Sequence, residues 1–252
     1  MSIKKYHENN IVIIELHRPK ANAINGEMVI RLLNLINEIK YDNSIQGIIL
    51  KGNPQFFSAG LDILDLFPKK KSDIVEFWEK FNYLLVELFS YPKLIFSAIT
   101  GHSPAGGTVI AMMTDYRIMS SGKFKIGLNE VAVGLILPGL IAKVFQYIIG
   151  NRKAELYALK GKLINPEEAK KIGLIDDIVD PDHILDETVK EMNSWLKLPN
   201  YQQGLTKLKL RADIIEEVNQ CQKVYTKEIV DIWFSNEGQK VLSRLFLKLK
   251  KI

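Results

Sequence analysis

Lys93-Leu94-Ile95-Phe96-Ser97-Ala98, Gly101-His102-Ser103-Pro104-Ala105-Gly106-Gly107, Thr108-Val109-Ile110-Ala111-Met112-Met113 and Tyr116-Arg117-Ile118-Met119-Ser120 follow one another within residues 93–120. The first run is apolar and short enough for a buried strand, and the second is a glycine-rich turn. The third is apolar on all sides, which marks a buried helix, and the fourth again reads as a strand. Strand, turn, helix and strand in this order imply a parallel pair joined by a crossover.

The same alternation extends outward in both directions. Upstream, Val12 to Leu16 and Gly47 to Lys51 read as strands. Asn25 to Lys40 carries apolar residues at helical spacing, with Asn25 placed as its cap, and a second helix is expected over Ser72 to Ser90. Downstream, Lys123 to Ile126 is expected to be a short strand. From Pro166 the strands are expected to stop, because Pro166-Glu167-Glu168 opens a helix with proline and acids at its positive end. After Val179-Asp180-Pro181 about three helices should follow, the last a basic amphipathic one from Val241 to Ile252. The expected fold class is α/β, with a largely parallel sheet and an all-helical C-terminal extension. The expected division is a core over residues 1–195 and a helical oligomerisation region over 196–252.

The 252 residues are 47% hydrophobic and 25% charged, which are the proportions of a globular domain with a sizeable core. Cys221 is the single cysteine, and no Cys/His cluster has metal-ligand spacing, so neither a disulfide nor a metal is expected. The apolar stretch from Val131 to Ile141 is interrupted by Gly134, Pro138 and Gly139 and is too short to span a bilayer. No targeting segment is legible, so the expected location is cytoplasmic. The net charge of +5 favours an anionic partner, whether nucleic acid, acidic lipid or a phosphorylated small molecule. Lys69-Lys70-Lys71 is a lone basic run without interleaved aromatics, which argues against nucleic acid.

Three segments do not suit plain packing. Phe56-Phe57-Ser58-Ala59-Gly60-Leu61-Asp62 follows a strand, and its small residues permit close backbone approach. A turn that needs Gly60 for its dihedrals would read the same way. Gly106 and Gly107 open the apolar helix, where free N–H groups suit an oxygen that gains negative charge. Close helix-to-sheet packing is the alternative there. Glu130 is the one carboxylate in the otherwise uncharged run from Ile126 to Gly139. Desolvation by Val, Leu and Ile would raise its pKa toward that of a general base working near neutrality. Alternatively, Asn129 caps a short helix and Glu130 merely favours its first turn.

Taken in order, Phe57-Ser58-Ala59-Gly60-Leu61-Asp62, Gly101 to Gly107, Asp115-Tyr116-Arg117-Ile118-Met119 and Ile126-Gly127-Leu128-Asn129-Glu130 resemble the crotonase (enoyl-CoA hydratase/isomerase) superfamily. Arg18-Pro19-Lys20-Ala21-Asn22-Ala23-Ile24-Asn25 fits its first motif. The resemblance covers residues 3 to 180. It implies a ββα spiral core, a homotrimer or homohexamer, and an acyl-CoA thioester substrate with no cofactor besides that coenzyme A. It further implies an oxyanion hole from the N–H groups of Leu61 and Gly106. Ala21, Ala23, Ser58, Ala59, Gly60, Asp62, Ile63 and Asn129 would bind substrate, with Lys248 or Lys250 near the CoA phosphates.

Hydratases of this family carry two glutamates. The second matches Glu130, whereas the first falls on Val109. One carboxylate suffices to move a double bond from the 3 to the 2 position, the local wording is most like the Δ3,Δ2-enoyl-CoA isomerases, and Glu130 is the expected shuttle. The same hole would also serve a crotonase-type thioester decarboxylase; hydration and RNA binding fit less well. His102, Trp78 and Trp195 are expected to be structural.

Overall fold

The computed structural model describes residues 2–251. Six strands form one sheet in the order β1 (Ile3–Glu8), β2 (Ile11–Leu16), β3 (Gly47–Lys51), β4 (Leu94–Ile99), β6 (Tyr116–Ser120) and β8 (Asp177–Val179). The β1–β2 hairpin is antiparallel and every other pair is parallel. The residues of β4 are buried without exception, as expected of a parallel strand covered on both faces.

A second layer runs beside this sheet. β5 (Ser103–Pro104) pairs in parallel with β7 (Ile126–Gly127), and single bridges join Ile24 to Leu61, Phe56 to His102 and Ile126 to Ile164. The chain therefore repeats one turn: a strand in the large sheet, an extended segment in the second layer, then a helix. The helices of successive turns are α1 (Gly26–Lys40), α2 (Ile63–Leu66) with α3 (Lys71–Phe89), α4 (Gly106–Met112), and α5 (Gly139–Ile149) with α6 (Asn151–Lys160). This is the ββα spiral that the resemblance implies. Asn25 caps α1 as its sequence predicts, accepting from the Met28 N–H at 3.0 Å.

The structure corrects several local expectations. Strands do not stop at Pro166: after α7 (Pro166–Ile172), Asp177–Val179 adds β8 to the edge of β6. Three residues flanked by acids carry no strand pattern of their own, and an available sheet edge supplies their partners. Lys123 to Ile126 contributes only Ile126 to a strand. β1 has a single buried residue, Ile3, so its polar edge escaped the hydrophobic pattern.

Four helices rather than about three close the chain: α8 (Ile184–Trp195), α9 (Asn200–Leu210), α10 (Ala212–Trp233) and α11 (Asn236–Leu249). α10 packs along α3, putting Val218, Ile229, Val230 and Trp233 into the main core, and Asn82 donates to Thr226 at 3.0 Å. α11 lies against α2 and the Val131–Val133 turn, with the rings of Phe67 and Phe246 5.1 Å apart. A buried ionic tie holds the tail to the sheet. Asp115 takes Lys207 at 2.8 Å and Arg211 at 3.0 Å, and also accepts from the Ile95 N–H.

Candidate active site

The first motif shapes the second. Asn22 donates to the carbonyls of Phe56 and Phe57 at 3.1 and 3.2 Å, while Ser58 Oγ donates to the Asn22 carbonyl at 2.8 Å. Ile24 N–H bonds the Gly60 carbonyl and Asp62 N–H bonds the Ile24 carbonyl, both at 2.8 Å. In a parallel bridge, the residue between those two partners points its N–H the other way. That residue is Leu61, and its N–H has no acceptor among the described residues.

Gly106 meets this segment from the next turn of the spiral. A Cβ at Gly60 would lie 3.2 Å from the Gly106 nitrogen, and one at Gly106 would lie 3.3 Å from the Gly60 Cα. Gly60 also has φ +86°, so its glycine answers two demands at once: a left-handed turn and the close approach of a second backbone. Ala105 precedes α4 with φ +46°, held by its N–H to the Gly127 carbonyl at 2.9 Å. A non-glycine residue in that region stores strain of about 1–3 kcal/mol and persists only where surrounding bonds impose it. The Gly106 N–H at the start of α4 also lacks an acceptor among the described residues.

Glu130 reaches the same place from β7. It is 8% exposed, its Oε2 is buried without a partner, and its pKa is pushed up to about 7 by burial, opposed only by its own backbone N–H. A carboxylate so tuned can give and take a proton near neutral pH. Asn129 does not cap the turn: its carbonyl accepts from Ala132, and its buried Oδ1 has no partner.

A cavity of about 240 Å³ joins these groups. Its wall includes Ala59, Leu61, Ile63, Gly106, Val109, Asn129 and Glu130. Of the expected substrate-binding residues, Ala21, Ala23, Ser58, Gly60 and Asp62 are not part of the wall, and Ala21 and Ala23 are half-buried. Ser58 is fully buried and receives the Gly60 N–H, and Asp62 pairs with Arg18 at 2.5 Å while capping α2. Lys248 is exposed on α11, away from the cavity wall. Val109 is buried on the cavity wall. His102 is structural, accepting from the Lys125 N–H at 3.1 Å between the rings of Phe56 and Phe124.

Two features escaped sequence reasoning. Thr108 is fully buried at the start of α4, where its hydroxyl receives the Gly127 N–H at 2.8 Å and donates toward the carbonyls of Ser103 and Gly127. It thereby ties the Gly106 segment to the one that carries Glu130. A hydroxyl in an otherwise apolar helix was the signal. The second is that Trp78 and Phe81 of α3, with Leu245 and Leu249 of α11, line the cavity. Trp78 is packed in the core as expected and also reaches the cavity wall, and the α11 leucines had no local signature.

Among the described residues there is no cluster able to hold a metal ion and no helix long and apolar enough to cross a membrane. A family model described as enoyl-CoA hydratase/isomerase matches residues 6–237. Mitochondrial enoyl-CoA delta isomerase 1 of Mus musculus is 30% identical over 243 residues, spanning 96% of this chain and 84% of that protein. The crystal structure of human mitochondrial delta3-delta2-enoyl-CoA isomerase has a TM-score of 0.96 at 25% identity, covering 100% of this chain and 99% of that one. An enoyl-CoA hydratase from Bacillus halodurans has a TM-score of 0.88 at 26% identity, covering 97% and 100%. Both named activities thus occur on this backbone, and the choice between them rests on side chains.

Proposed function

The chain belongs to the enoyl-CoA hydratase/isomerase family, and from that premise we propose that it moves a carbon–carbon double bond from the 3 to the 2 position of an enoyl-CoA. One observation carries the reading: Glu130 is a carboxylate on the cavity wall with its pKa pushed up to about 7, and Val109 lines the same wall at the position to which the resemblance would assign a hydratase's other acid. Adding water needs one group to activate it and another to deliver a proton. Allylic transposition needs one group acting twice.

In the proposed reaction the thioester oxygen accepts from the N–H groups of Leu61 and Gly106. Ionised Glu130 removes a proton from C2, and the electron pair forms a dienolate whose negative oxygen is held by those two donors. The protonated Glu130 then returns its proton to C4, so the C2–C3 double bond forms and the carboxylate is regenerated. Val109, Ile136 and Leu137 keep the surroundings apolar; Val109 and Ile136 line the cavity, and Leu137 packs against the core. Asn129, with its free Oδ1, orients Glu130 or the substrate. The reading takes the enzyme to need no cofactor besides the CoA of its substrate, to work in the cytoplasm as a homotrimer or homohexamer, and to use Lys248 or Lys250 near the CoA phosphates. Residues 196–252 then form the assembly region and residues 1–195 the catalytic core.

Conversion of 3-enoyl-CoA to the conjugated 2-enoyl-CoA, followed by its ultraviolet absorbance, tests this. Glu130→Gln should lose about 10²–10⁴ in rate with an unchanged circular dichroism spectrum, and full activity in that variant would overturn the mechanism. Decarboxylation of a β-carboxyacyl thioester by wild-type protein, without isomerisation of simple enoyl-CoAs, would favour the decarboxylase.

A further inference from the structure

The cavity wall divides into two parts by chemistry. Leu61, Gly106, Asn129 and Glu130 carry every group used by the proposed reaction. Trp78 and Phe81 of α3, with Leu245 and Leu249 of α11, present hydrocarbon and aromatic surface. An acyl chain whose thioester is held at Leu61 and Gly106 can bury its remaining carbons on this second part and on the aliphatic wall of Leu135, Ile136 and Ile141 beside it. The two walls differ in stiffness. Trp78 is 3% exposed and wedged among aromatic rings, with Phe77 and Phe81 each 5.8 Å away and Phe77 stacked on Phe81 at 5.7 Å. Leu245 and Leu249 are half-buried, one turn apart on the final helix, which rests on α2 and on the Val131–Val133 turn.

We propose that Trp78, together with Leu245 and Leu249, forms the gauge that limits acyl-chain length. This rests on the acyl-CoA reading above. A chain that outgrows the cavity must displace α11, because the aromatic wall cannot yield without breaking its ring packing. Closely packed interiors respond to the loss or gain of even one methylene, so changes of side-chain volume here should read out as changes of chain length.

The decisive measurement is the affinity of saturated acyl-CoAs of 4 to 16 carbons, by calorimetry, for wild type and three variants. Saturated chains cannot react, so the measurement stands apart from which reaction the enzyme performs. Affinity should rise with each added carbon up to a break point within this range and then level or fall. Trp78→Leu and Leu249→Ala should each move that break to longer chains and tighten the 14-carbon ligand at least tenfold relative to the 6-carbon one. Leu249→Trp should move it to shorter chains, which keeps the proposal testable if Trp78→Leu does not fold. An unchanged break point in the folded variants would overturn the gauge, as would equal affinity at all lengths in wild type. Failure of the isomerisation assay alongside a normal break point would overturn the reaction and leave the gauge standing.

Discussion

A Cβ placed on Gly106 would stand 3.4 Å from the amide nitrogen of Leu61. Two backbone donors from different turns of the spiral are therefore close enough to serve one oxygen, provided no side chain stands between them. Gly106→Ala should lower kcat by about 10²–10³, the usual effect of impairing one such donor. Folding should suffer little, since the nearest obstacle is the flexible Ile24 Cδ1 at 3.0 Å. Gly107→Ala is the control with the opposite balance. Its Cβ would fall 2.5 Å from the Ser58 carbonyl oxygen, so it should lose stability by about 1–3 kcal/mol. Comparing urea midpoints with kcat for the pair separates the two roles.

Burial holds the Glu130 pKa at about 7, above its ordinary value of 4.5. To act as the proposed base Glu130 must be ionised in the free enzyme, so kcat/KM should fall tenfold per pH unit below about pH 7. The same shift destabilises the fold in the opposite direction. The native state binds more protons than the unfolded one between pH 4.5 and 7, so stability declines as pH rises through that window. The decline attributable to Glu130 is about 3 kcal/mol. Glu130→Gln should remove this slope and unfold later than wild type at pH 8, as read by chemical denaturation at several pH values.

Val109 is 1% exposed on the cavity wall, and the proposed function takes it to stand in place of a hydratase's other acid. Val109→Glu should raise hydration of a 2-enoyl-CoA measurably above wild type while costing about 2–4 kcal/mol for a carboxyl without a built partner. Hydration that stays at the wild-type level in a folded variant would mean that the missing carboxylate does not decide the reaction.

Thr108 is a positioning residue, tying Gly127 to the start of α4. Thr108→Val keeps the shape and strands the Gly127 N–H, at a cost of about 1–3 kcal/mol. Because Gly127 leads into Glu130, kcat should fall more than KM rises, and the pH limb near 7 should shift. Thr108→Ser should restore both, whereas a purely structural threonine would leave the pH profile unmoved.

Asp115 is buried between Lys207 and Arg211. Asp115→Asn leaves two buried cations without a counter-charge and should cost about 3–5 kcal/mol. Thermal unfolding checks this, and replacing Lys207 by Met in the same chain should recover part of the loss.

Local sequence is enough to read the alternation of strands and helices, the Asn25 cap, the glycines and the solitary carboxylate at Glu130. Each is a local property: periodicity, a cap, a φ or a composition can be read within a few residues. It also determined that Val109 is not an acid. Which of these groups meet depends on how distant segments pack. Leu61 and Gly106 became neighbours through the Ile24 bridge and the stacking of spiral turns. Glu130 acquired its high pKa from burial, on a cavity wall that residues of α4, α5 and α11 share with its own segment. β8 existed only because β6 offered an edge, and Leu245 and Leu249 gained a place on the cavity wall only when α11 folded back over α2. Such pairings depend on packing between segments far apart in the chain, and no local pattern encodes their geometry.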